Sequence, residues 1–67
     1  MITTINEKIE AQTIICNINA MRSNIGLDAH KNIDWIFKNR SLEYLRNEQT
    51  EIIQHYNEAA KNGKLFI

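Results

Sequence analysis

The sequence predicts an all-α fold, a small domain of three helices in the order long, short, long, arranged like a helical hairpin and completed by dimerisation. Three observations predict it. Proline is absent, so no residue is barred from a helix interior. The only two glycines, Gly26 and Gly63, stand where helical patterns run out, and a residue free to adopt positive φ suits a helix end. Side chains that can accept hydrogen bonds from free amides, Thr4, Asp28 and Ser41, stand ahead of each apolar pattern. Strand signals are poor: only Lys64 to Ile67 could be extended, too short to form a sheet alone. The chain reads as one helical domain over 1–67, with helices at about 4–25, 28–38 and 41–62 and an apolar tail at 64–67.

The first helix opens with Thr4 and, three residues later, Glu7, the pair that forms a reciprocal capping box. At roughly 100° per residue, Ile5, Ile9, Cys16 and Ala20 make one apolar stripe, and Ala11, Ile14, Ile18, Met21 and Ile25 make another nearly opposite. A helix apolar on two sides needs two things to pack against. The other helices can take one side each, or the second stripe can join two copies of the chain. Ala11, Ile14, Ile18, Met21 and Ile25 are therefore the expected self-association surface, and Cys16 is expected in the core.

The second helix, capped by Asp28, turns Ala29, Ile33, Ile36 and Phe37 inward. Trp35 then points outward, in line with Lys31 one turn before and Lys38 one turn after. Tryptophan and arginine are enriched at the energetic centres of interfaces, so Lys31, Trp35, Lys38 and Arg40 form the expected partner-binding surface. The alternative is that Trp35 covers the tail or folds over the first helix.

The third helix, capped by Ser41, gathers Leu42, Leu45, Ile52, Ile53, Tyr56, Ala59 and Ala60 on one side. Positions 42, 45, 49, 52, 56 and 59 are heptad-like with Gln49 as the polar break, which suits a hairpin or a short antiparallel coiled coil. Asn62-Gly63 supplies the stop. Leu65, Phe66 and Ile67 either fold back as the apolar contact that accompanies a glycine cap or insert into a partner's groove.

A chain of 67 residues hides only ~60% of its unfolded surface, so its core needs support. One cysteine allows no internal disulfide, and a lone apolar-flanked thiol fits a reducing compartment. His30 and His55 are far apart and lack ligands at metal spacing, so neither a metal nor another cofactor is expected. Self-association or a partner is left as the support. No basic-then-apolar leader and no run of ~18 apolar residues occurs, which predicts a cytoplasmic protein with no membrane partner.

Eight lysines and arginines balance eight acids, so no net field draws the chain to nucleic acid. Enzyme chemistry is not expected either. Cys16 has no histidine within helical reach, His55 lies beside Glu51 and Glu58 as in many charged helices, and there is no glycine-rich phosphate loop.

Heavy use of isoleucine and asparagine without proline fits an A/T-rich genome. In size and layout the chain resembles, by type and not by motif, phage and mobile-element accessory proteins that bind and inhibit or redirect a host or defence protein. The expected function is thus a non-enzymatic protein-binding module that inhibits or redirects its partner. The alternative is a DNA- or RNA-binding regulator using Lys31, Trp35, Lys38, Arg40 and Arg46, although a helix beginning Ser41-Leu42-Glu43-Tyr44 is poorly suited to a phosphate-lined groove.

Overall fold

A computed structural model of the chain describes residues 1–65. It is all-helical among those residues: α1 spans Ile5–Asn24, α2 Ile33–Asn39 and α3 Leu42–Lys61. The order long, short, long is as the sequence predicts. Each helix is started by a side-chain cap. Thr4 accepts from the Glu7 amide at 3.1 Å while the Glu7 carboxylate accepts from the Thr4 amide at 3.1 Å and the Thr4 hydroxyl at 2.9 Å, which closes the capping box. Ser41 Oγ accepts from the Tyr44 amide at 3.1 Å and begins α3.

The long helices stop in the same way. Gly26 has φ 81° and Gly63 φ 69°, left-handed values that cost glycine little. After α1, the Leu27 amide donates to the Arg22 carbonyl at 2.8 Å and the Gly26 amide to Ser23 at 3.2 Å. After α3, Lys64 donates to Ala59 at 2.8 Å and Gly63 to Ala60 at 3.2 Å. Both ends are Schellman motifs, which occupy carbonyls that a helix otherwise leaves free.

α1 packs on α3, and the two run in the same direction. Glu10 near the start of α1 pairs with Arg46 near the start of α3, while Ile25 and Ala59 share a hollow at the far end. The Ile2 amide donates to the Phe37 carbonyl at 3.0 Å, which sets the end of α2 beside the start of α1. The long helices therefore meet side by side with the same polarity, and not as an antiparallel hairpin.

This polarity accounts for a correction to α2. The chain must return about 30 Å, the length of a twenty-residue helix, before α3 can start. A helix over 28–38 would cover only about 17 Å at 1.5 Å per residue. The six non-helical residues 27–32 can reach as far as about 20 Å and the seven residues of α2 add about 10 Å, which is enough to close the distance. Asp28 accordingly is not the cap. Asn32 takes that place, its side chain accepting from the Trp35 amide at 3.0 Å.

The core consists of Ile2, Ala11, Ile14, Ile15, Ile18, Ile36, Leu45 and Ile52, with Met21, Ile25, Ile33, Phe37 and Leu42 packed against it. It contains no buried polar side chain among the described residues. On α3 the heptad-like positions 42, 45, 49, 52, 56 and 59 are all buried or half-buried, whereas Ile53 and Ala60 are exposed. On α2 Ile36 is buried and Ile33 and Phe37 half-buried, as expected, but Ala29 is exposed in the non-helical segment before it.

α1 departs furthest from the sequence reading. Ala11, Ile14, Ile18, Met21 and Ile25, expected to join two copies, are the side that packs within the chain; Ala11 and Ile18 have no exposed surface. The opposite stripe, Ile5, Ile9, Cys16 and Ala20, faces outward, so Cys16 is exposed and not core. The reason is geometric: α3 and the return through α2 both lie against one broad side of α1. Ile2 and Ile15, absent from either predicted stripe, belong to the core. Of the tail, Leu65 is half-buried; Phe66 and Ile67 lie outside the described residues. No helix among the described residues is long and apolar enough to cross a membrane.

Candidate functional site

The α2–α3 corner follows from a two-residue connection. Arg40 ends α2 in an extended conformation, its amide donating to the Ile36 carbonyl at 2.8 Å, and Ser41 at once caps α3. So tight a corner brings the outer face of α2 and the first turn of α3 to one side of the molecule. Trp35 on α2 and Tyr44 on α3 are there, each about half exposed at 47% and 49%. The Arg40 guanidinium carbon lies over both rings, 4.8 Å from the Trp35 centroid and 4.7 Å from that of Tyr44. At these distances the ring quadrupoles attract the cation.

The rings and Arg40 rim an open hollow of about 200 Å³. Ile36 and Leu45, both buried, contribute its apolar wall, and His30, Lys31, Asn32 and Glu48 its polar side. His30 is aimed there by the return segment. The Asn19 side chain holds that segment at both ends of one residue, accepting from the His30 amide at 2.8 Å and donating to its carbonyl at 3.1 Å. Arg22 Nε donates to the Asp28 carbonyl at 2.6 Å and fixes the segment one step earlier. The His30 imidazole then reaches Glu48 on α3, Nε2 to Oε2 at 2.6 Å.

Of the four residues predicted to bind a partner, the structure brings Lys31, Trp35 and Arg40 to the hollow. Lys38 is exposed on α2 but does not line it. Sequence reasoning missed Tyr44, His30 and Glu48. A signal for Tyr44 existed: an aromatic four residues after Arg40, just past a serine cap, must emerge near the corner. None existed for His30 with Glu48, which are eighteen residues apart and meet only because residues 27–32 run outside any helix, back along α1. Arg46, the fourth cation of the nucleic-acid alternative, is engaged by Glu10, with Nε donating to the carboxylate at 2.9 Å.

No group of three or more histidine, cysteine or acidic side chains among the described residues is arranged to hold a metal ion. Chemically, the corner offers flat aromatic surface, a fixed cation and a short apolar wall, which is equipment for holding a side chain of another molecule. No known protein family matches the chain, nor does any curated protein or any solved structure.

Proposed function

We propose that this chain is a small non-enzymatic protein-binding module that docks a partner protein at the α2–α3 corner. The observation that carries the reading is the Arg40 guanidinium over two half-exposed aromatic rings at the rim of a hollow. Aromatic and arginine side chains around a small desolvated pocket are the usual energetic centre of an interface. The neighbouring polar groups are tied down by Asn19 and by the His30–Glu48 contact, so little further ordering is needed on binding.

The wider role is that of a cytoplasmic accessory protein, of the phage or mobile-element type, that inhibits or redirects a host or defence protein. It rests on small size and composition. Self-association belongs to the same reading, and its surface is now the outward stripe of α1, Ile5, Ile9, Cys16 and Ala20, because the inward stripe is occupied. Nucleic-acid binding is the weaker reading: net charge is zero and Arg46 is already paired.

Affinity capture from host cells with the wild type, Trp35→Ala and Ile53→Ala tests the proposal. A partner protein held by the wild type and Ile53→Ala but released by Trp35→Ala is expected, since Ile53 is also an exposed apolar side chain yet does not line the hollow. Identical captures by all three would overturn it.

A further inference from the structure

We infer that the corner recognises an acidic segment of its partner, with an aspartate or glutamate carboxylate seated on Arg40 and an adjoining apolar side chain against Trp35 and Tyr44. This rests on the proposed docking surface and names what that surface reads. A guanidinium has five N–H donors in a planar fork that matches a carboxylate. Among the described residues Arg40 uses its donors only once, from Nη1 to the Asn39 carbonyl at 3.2 Å, and has no carboxylate partner. The two rings hold its charge in place without consuming those donors.

Acids of the chain itself leave the position open. Glu48, the acid lining the hollow, is engaged by His30 at 2.6 Å. Asp34 on α2 and Glu43 on α3 are exposed near the corner, yet neither is paired with Arg40. Lys31 adds a second positive charge on the hollow's polar side. The hollow therefore combines an unclaimed cation pair with an apolar wall of Ile36 and Leu45, a complement to an acidic residue beside an apolar one.

A nucleic-acid strand fits less well. Strand binding needs a basic track along the backbone with successive stacking platforms. Here there is one compact hollow with an acid in its lining, and Arg46, the next cation along α3, is neutralised by Glu10.

The test is an array of short tryptophan-free peptides carrying a central Glu or Asp between apolar residues. Matched arrays carry Gln, Asn or Lys at the centre, and oligo-dT serves as competitor. The labelled full chain is expected to bind the acidic peptides about tenfold better than their amide isosteres, the contribution of one charge-assisted hydrogen-bonded contact. Arg40→Gln should abolish that preference. Arg40→Lys, which keeps the charge but loses the planar fork, should retain part of it. Circular dichroism melts confirm that each variant folds.

Equal binding of Glu and Gln peptides, a preference that survives Arg40→Gln, no binding by any array, or displacement by oligo-dT at concentrations where acidic peptides bind would each overturn the inference. The two readings fail differently. Peptide binding without acid preference, still lost in Trp35→Ala, leaves the docking surface standing and removes only the carboxylate. Peptide binding indifferent to Trp35→Ala removes the surface itself.

Discussion

Along the seam between α1 and α3 the buried side chains are all apolar, whereas the return segment that joins the two helices is held by hydrogen bonds with the side chains of Asn19 and Arg22 on α1. The seam is non-directional: it requires only that enough apolar area meet, and it tolerates Gln49 at one of its positions because a half-buried amide still reaches its edge. The return is directional, since a non-helical segment has no helical ladder and its amides and carbonyls need partners supplied from outside. The comparison teaches where stability and function part. The seam keeps the molecule folded, and the return, with the corner it creates, places Trp35, Arg40, Tyr44 and His30 around one hollow.

Deepening the seam's damage should give the largest effect. Ile18→Ala removes a fully buried side chain and leaves a cavity, which should cost about 2–4 kcal/mol. For a core this small that is a large share of the total, and a urea melt should show a lower midpoint throughout the molecule. If only the corner loosened, the contrast between seam and return would be mistaken.

Asn19→Ala strikes the return alone. It removes two hydrogen bonds to one residue, and should cost about 1–2 kcal/mol in the local stability of the return, with the global melt little changed. Hydrogen exchange at the His30 amide should accelerate while amides in the middle of α1 and α3 keep their protection. Equal acceleration at all sites would show that seam and return form one cooperative unit.

Arg40→Gln should separate the two regions most cleanly, because its contacts are with exposed rings. Its stability loss should stay below about 1 kcal/mol in thermal melts. A larger loss would make the corner a structural element first and a binding surface second.

The smallest effect is expected at the start of α1. Glu7 is held below the usual carboxylate range by accepting first from the Thr4 amide, then the Thr4 hydroxyl and the Thr3 amide. A carboxyl whose folded pKa is depressed stabilises the fold fully above its unfolded value, and that contribution disappears as pH falls through the folded value. Helicity and the melting temperature should therefore decline slightly in acid, below the ordinary carboxylate range. Glu7→Gln, which removes the titrating group, should flatten the decline, and an unchanged profile in that variant would assign it to other acids.

The features legible in the sequence were those determined within a few residues. Caps at Thr4 and Ser41 and glycine stops at 26 and 63 are local chemistry, and both long helices end within a residue of the expected positions. The α3 face was legible because its apolar stripe is single, leaving one way to turn. The outward Trp35 followed from the pattern of α2, together with Lys31 and Arg40 at its hollow. Less was legible on α1, where two stripes of similar size compete and periodicity has no means of ranking them.

The sequence by itself thus determined the number of helices, their caps, the heptad face of α3 and the exposure of Trp35, because each depends on short-range hydrogen bonding or on one unambiguous stripe. Tertiary structure decided which side of α1 is inside, why Cys16 is outside, why residues 27–32 are not helical and that His30 meets Glu48. The first two follow from α3 and the return lying against one side of α1; the last two follow from α3 lying beside α1 with the same polarity, so that the chain between them must return about the length of a helix, farther than a helix over 28–38 would reach.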